Sequence, residues 1–215
     1  MAAKSFELVI ASESKPFPWG PLATAIYVNS TCDGNPITIT TQPVALLEPA
    51  VQASNVKLVS KSEYFAPNLL VTYSAKTETG ATAICKTLAV EFSKARLWTR
   101  ELGEVIEFTL LGSMEKLVSN DQGSISEALA AINENMTFSM HPVKYAFTVV
   151  DLSLWGAIKA NPHITTDILS GKYSEVERWY KEFMEQQPIV TQVNKFIHQN
   201  NAAVWPVECV TNTET

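Results

Sequence analysis

The order of predicted elements gives an α/β layer followed by an all-helical bundle. Three observations carry this reading. Before residue 98, short apolar and β-branched runs alternate with turn clusters and one or two helical stretches. From Thr99 onward only helical periodicities occur. Within that second half, Thr148–Asn161 reads as a helix apolar on nearly every side, which belongs inside a bundle. The predicted divisions are residues 1–97, residues 98–203 and a tail at 204–215.

In the first half, Phe6–Ala11 reads as a buried strand. Lys15–Pro21 is a proline-rich turn, and Pro21 suits the first position of a helix running to about Asn29. Cys32–Pro36 is a turn, and Ile37–Thr41 alternates like a strand. Between Gln42 and Lys61, Pro43 and Pro49 break any long helix, while Asn55–Ser60 alternates like another strand. Leu69–Ala75 is a strand by its β-branched and aromatic content. Lys76–Gly80 reads as a connection, Ala81–Ile84 as a short strand, and Thr87–Trp98 as a helix.

In the second half, Leu102, Val105, Ile106 and Thr109 follow a helical period to about Leu117. Ser119–Gly123 is a polar turn, and Ser124 with Glu127 has the spacing of a capping box before Ile125, Leu129, Ile132 and Met136. Met140–Tyr145 connects to the core helix. There Thr148 and Asp151 form a second box, with Asp in place of the commoner Glu, and Phe147 and Leu152 stand at the staple positions. Gly156 lies mid-helix at a cost of about 1 kcal/mol against Ala, which implies a close neighbouring helix. Pro162 ends that helix. Ser174 and Glu177 suggest a third box, opening a helix with Val176, Trp179, Tyr180 and Phe183 inward and Glu175, Arg178 and Glu182 outward. Pro188 starts the last helix.

The composition excludes several functions. The net charge of −6 rests on 22 acids against 16 Lys and Arg, with no basic run, so direct nucleic-acid binding is not expected of this chain. No apolar run approaches a membrane span, and Phe6–Ala11 is too short and too interrupted for a signal peptide, so a cytosolic protein is expected. Cys32, Cys85 and Cys209 are far apart, and no Cys-x-x-Cys occurs. His141, His163 and His198 show no metal-ligand spacing and read as surface or packing residues. There is no phosphate loop, no Gly-x-Ser-x-Gly elbow and no telling carboxylate pair.

The Thr148-x-x-Asp151 box on a buried helix resembles the capped core helix of glutathione-transferase-like C-terminal domains. The longer string Thr148-Val-Val-Asp-Leu-Ser-Leu-Trp-Gly-Ala-Ile158 resembles one branch of that superfamily, the transferase-like domain at the N-terminus of eukaryotic, especially fungal, glutamyl-tRNA synthetases. Arg178-Trp179-Tyr180 and Gln187-Pro188-Ile189 continue the likeness. The resemblance implies a thioredoxin-like α/β layer before the helical half. Ala66-Pro67-Asn68-Leu69 is similar to the family's Val-Pro-x-Leu before the third strand, which implies a cis bond at Pro67.

A glutathione transferase of that family carries a Tyr, Ser or Cys after the first strand and a Glu/Gln-Ser pair at the start of its third helix. Ser12 and Ser14 stand near the first place, where a serine beside a proline turn is more often a turn residue. No such pair occurs in Thr82–Thr87, which argues against glutathione binding. The ATP-binding motifs of class I synthetases, His-Ile-Gly-His-like and Lys-Met-Ser-Lys-Ser-like, are also missing. The resemblance therefore implies a non-catalytic segment without a cofactor, with ATP and Mg²⁺ belonging to the catalytic part of a longer glutamate–tRNA ligase. Its implied partner is another transferase-like protein, such as a tRNA-binding synthetase cofactor or a methionyl-tRNA synthetase. Arg178 is the expected docking residue, with Glu175, Tyr173 and His163 on the same side. Arg178 reads equally well as part of a solvated face laced by Arg178–Glu182 and Glu177–Lys181 pairs. Alternatives are an active glutathione transferase, a transferase-like domain of another translation factor such as elongation factor one gamma or methionyl-tRNA synthetase, and self-association.

Overall fold

Phe6–Ala11 is apolar except at Glu7, and such a strand needs cover on both faces. It lies within β1 (Ala3–Ala11) in the computed structural model, which describes residues 3–12, 16–49, 52, 55–66, 69–98, 104–119, 121–143 and 146–199. The sheet has the order β2-β1-β3-β4. β2 (Ile37–Gln42) runs parallel to β1, and β3 (Val56–Ala66) and β4 (Leu69–Thr79) follow antiparallel. Parallel pairing requires a crossover, which α1 (Trp19–Thr31) provides. The Asn29 side chain clamps its far end to β2, donating to Ile37 O at 2.8 Å and accepting from Ile37 N at 3.0 Å. α1 starts two residues before Pro21, which then sits in the first turn, where its missing N–H leaves no bond unmade.

Several expectations for this layer are corrected. Lys76–Thr79 is not a connection. It pairs with Lys57–Ser60 and extends β4 to Gly80, whose φ of 93° ends the strand. Ala81–Ile84 is not a strand but the first turn of α2 (Ala81–Glu91). Ile84, Cys85, Leu88 and Ala89 form its buried face, a helical spacing that overrides the local β preference. The helix stops at Glu91 instead of Trp98, and Ser93–Ala95 forms a 3-10 turn ending on left-handed Arg96. Ala66, the last residue of β3, pairs with Leu69, the first of β4, so Leu69 opens the fourth strand and not the third. Pro67 itself lies outside the described residues.

The second half comprises α3 (Glu104–Leu117), α4 (Gln122–Asn135), α5 (Val149–Ala160), α6 (Pro162–Leu169), α7 (Ser174–Gln186) and α8 (Pro188–Gln199). The box on α5 is present: Thr148 Oγ1 accepts from Val150 N at 3.2 Å, and Asp151 Oδ2 accepts from Thr148 N at 2.8 Å. The other two expected boxes are corrected. Asp121 caps α4 by accepting from Gly123 N at 3.0 Å, and the Ser124 hydroxyl donates to Asp121 instead of capping. α7 has no side-chain cap of its own from Tyr173; Asn133 Oδ1, from α4, accepts from Glu175 N at 2.9 Å and Val176 N at 3.3 Å. Pro162 both ends α5 and opens α6, with Asn161 as N-cap, an element the sequence reading did not foresee.

One buried apolar cluster runs from Phe6 in β1 to Ile197 in α8. The predicted division at residue 97 thus falls inside a continuous core: Leu97 is buried, and its carbonyl accepts from Val149 N at 3.0 Å. α5 is buried over its whole first three turns, and it crosses α1 at Gly156. A Cβ on Gly156 would lie 2.2 Å from Gly20 N and 2.6 Å from Gly20 Cα. The close neighbour expected of Gly156 is therefore α1, with Gly20 facing it.

Candidate functional site

Two places bear on function: the cleft between the layers and the outer face of α7. The cleft has a volume of about 340 Å³. Phe17, Trp19, Met114 and Ala157 give it apolar walls, and Cys85 and Ser153 lie at its polar floor. In a transferase of this fold, a hydroxyl or thiol after β1 would reach such a cleft. Here Ser12 is 8% exposed, its N–H donates to Gln42 O at 3.0 Å, and it does not line the space. Ser14 falls outside the described residues. The start of α2 offers Gly80, Ala81 and Thr82 in place of an acid-hydroxyl pair. The acid and hydroxyl that do meet nearby, Glu78 and Thr87, bond to each other and do not line the cleft. Burial pushes the Cys85 thiol up to about 11, so it is protonated and a poor nucleophile at neutral pH. Among the described residues, no cluster of three or more His, Cys, Asp or Glu has the makings of a metal site.

Asp151 does more than close the box on α5. It has no exposed surface, and its Oδ1 accepts from Trp179 Nε1 at 3.0 Å and lies 2.8 Å from His141 Nδ1. One carboxylate thereby joins α5, α7 and the connection between α4 and α5. The hydrogen bond to Asp151 is the main cause that raises the His141 pKa above 6.5; partial burial opposes it, and the charges of Asp151 and Glu182 add to it. His141 is thus not a mere surface residue, and nothing in the spacing of the histidines announces its partner.

On α7, Arg178 is about a third exposed and already engaged within its own chain. Its Nε and Nη2 donate to Glu175 Oε2 at 3.2 and 3.1 Å, its Nη2 donates to Ser139 O at 2.8 Å, and Glu182 Oε2 lies 3.7 Å from Nη1. Glu175 and Arg178 are therefore brought together, and the expected Arg178–Glu182 and Glu177–Lys181 pairs both form. Tyr173 is a correction: at 5% exposure it belongs to the core, and its ring offers little to a partner. His163 is exposed on the first turn of α6, and no hydrogen bond or ion pair links it to Arg178 among the described residues. Sequence reasoning missed Phe138 and Met140, which are 89% and 60% exposed on either side of Ser139. The available signal was two large apolar residues inside a polar turn.

No protein-family model matches the chain. It is 27% identical over 186 residues to a probable cytoplasmic glutamate–tRNA ligase of Schizosaccharomyces pombe, covering 85% of this chain. It spans about a quarter (24%) of that ligase's length. Among solved structures, it superposes on a chain from binary sub-complexes of a yeast aminoacyl-tRNA synthetase complex with a TM-score of 0.64 at 17% identity, over 90% of this chain and 94% of that one. It superposes on glutathione transferase Omega 2C of Trametes versicolor with a TM-score of 0.60 at 10% identity, over 94% and 99% of the two chains. The resemblance carried by Thr148–Ile158 is borne out: this is a glutathione-transferase-fold domain whose sequence is similar to that of a fungal cytoplasmic glutamate–tRNA ligase.

Proposed function

We propose that the chain is a non-catalytic interaction domain of a cytoplasmic glutamate–tRNA ligase, docking it to a second glutathione-transferase-fold protein of a synthetase complex. The observation that carries this is the likeness to a ligase confined to about a quarter of that enzyme, in a stretch without ATP-binding motifs. The structural likeness to a chain from synthetase sub-complexes supports it. The partner is a tRNA-binding synthetase cofactor or a methionyl-tRNA synthetase. Tethering of this kind raises the effective concentration of tRNA at the ligase, so the domain itself needs no basic surface. ATP and Mg²⁺ serve the catalytic part of the parent enzyme, and no cofactor acts in this segment.

The rival reading, an active glutathione transferase, draws on the likeness to the Omega enzymes and on the interlayer cleft. The missing acid-hydroxyl pair at α2 and the protonated Cys85 count against it. Titration calorimetry against the transferase-fold domains of the two partner classes separates the readings, together with a glutathione-affinity column and a chlorodinitrobenzene assay. Docking predicts a stable heterocomplex and no retention or turnover. Retention with turnover, or no complex with either class, overturns it.

A further inference from the structure

We infer that Met184 is a site of reversible oxidation by hydroperoxides, and that its conversion to the sulfoxide unties a hydrogen bond holding α7 to the core helix. Trp155 of α5 has no exposed surface, and its indole nitrogen can only donate. It donates to Met184 Sδ at 3.2 Å. A buried donor is thus satisfied by a thioether, a weak acceptor. Met114 and Met136 are 4% and 0% exposed, whereas Met140 and Met184 are 60% and 38% exposed. Among the described methionines, Met184 alone combines an accessible position with a hydrogen bond to a buried donor. Two side-chain bonds join α5 to α7. Asp151 Oδ1 accepts from Trp179 Nε1 at 3.0 Å, and one helical turn further along α5 Trp155 donates to Met184. The Phe183 ring lies against both indoles, with centroids 5.9 Å from Trp155 and 5.1 Å from Trp179.

A thioether sulfur has two lone pairs. The indole N–H occupies one, and the other is left for an oxidant. That lone pair attacks one oxygen of a hydroperoxide, the S–O bond forms and the O–O bond breaks, and the departing hydroxide or alkoxide takes the hydroxyl proton. The sulfur gives up two electrons, and the hydroperoxide is reduced to water or an alcohol. A sulfoxide sulfur has given its electron density to oxygen and accepts poorly, so the Trp155 N–H is stranded in a buried site. The new oxygen stands on the side from which the oxidant came, where water solvates it. The damage is therefore confined to the tie between α5 and α7. Met184 shares a face of α7 with Glu177 and Lys181, which pair at 2.7 Å, and not with Arg178, so the site is independent of the docking reading.

The test treats the folded full chain with dilute hydrogen peroxide and follows it by peptide mass spectrometry and thermal unfolding. Met184 and Met140 are expected to gain one oxygen each while Met114 and Met136 stay reduced. The thermal midpoint is expected to fall by about 2–4 °C in wild type and in Met140→Leu, and to return after treatment with methionine sulfoxide reductases A and B together. Met184→Leu conserves volume but removes the acceptor, so its midpoint starts lower and is expected not to respond to peroxide. The cycle of oxidation and repair in wild type needs no variant and stands as a test if Met184→Leu fails to fold. Met184 still reduced once Met140 is fully converted overturns the site. Met114 or Met136 oxidised as fast as Met184 overturns it too, because the oxidant is then acting on opened chains. An oxidised Met184 with an unmoved midpoint, or an equal fall in Met184→Leu, overturns the coupling to Trp155. A fall that the reductases do not reverse overturns the reversibility.

Discussion

Replacing Gly156 by Ala tests whether the two halves are held together by a backbone-to-backbone crossing. In a free helix this change is favourable by about 1 kcal/mol. In this fold the added methyl meets Gly20 N at 2.2 Å, Gly20 Cα at 2.6 Å and Trp19 C at 2.9 Å, all backbone atoms that no rotamer change can move away. Ordinary contact begins near 3.4 Å, so α1 and α5 must separate by roughly the difference, 3.4 − 2.2 = 1.2 Å. Overpacking of a tight core costs about 1–3 kcal/mol, and rigid neighbours place this case at about 3 or more. Subtracting the helix gain leaves a net loss of about 2 kcal/mol or more, or about 4–8 °C in a chain of this size. Gly112→Ala is the control. Gly112 lies in α3 with nothing within 4 Å of an added Cβ, so the propensity gain is unopposed and stability should rise by up to about 1 kcal/mol. Thermal and urea unfolding followed by circular dichroism read both variants. A Gly156→Ala chain as stable as wild type, or equal losses at both positions, would refute the crossing as the cause.

Asp151→Ala strands the Thr148 N–H, the Trp179 indole and His141 together. The expected loss is about 3 kcal/mol, read as a lower urea midpoint; a loss below about 1 kcal/mol would mean that other groups replace the carboxylate. Because folding raises the His141 pKa above 6.5, its protonated form contributes fully below pH 6.5, and that contribution is lost as pH rises through the folded value. Unfolding midpoints should fall over that window in wild type and less in His141→Gln, and parallel profiles would remove His141 from the account. Cys85, buried and pushed up to about 11, should resist iodoacetamide at pH 7.5 in the folded chain and react once urea unfolds it, as peptide mass spectrometry will read. Labelling of Cys85 in the folded chain at the unfolded rate would show that the cleft floor opens to solvent.

Several local signals are read correctly. The α5 box needs only Thr148 and Asp151 three residues apart, and it forms as read. The apolar continuity of Phe6–Ala11 and the face Ile125, Leu129, Ile132 and Met136 likewise match a buried central strand and a buried helix face. One failure is itself local, because Asp121 caps α4 ahead of the Ser124–Glu127 spacing; the others occur where another segment supplies the partner. Ser174 and Glu177 have capping spacing, yet Asn133 of a different helix satisfies the first N–H groups of α7. Lys76–Thr79 looks like a polar loop until β3 is laid beside it. Ala81–Ile84 could be strand or helix by content, and burial of one helical face decides it.

The candidate surface divides in the same way. The placement of Arg178 on an outer helical face follows from a 3.6-residue period and from nothing else in the chain. Its engagement with Ser139, the burial of Tyr173, the His141–Asp151 pair and the exposure of Phe138 depend on residues brought together across 10 to 39 positions. By itself the sequence determined the fold class, the core helix and the absence of catalytic motifs, because each is written in spacings shorter than a few helical turns. Tertiary structure alone decided which polar groups meet and which apolar ones are left facing solvent, because hydrogen bonding and burial depend on distance in space and not on separation along the chain.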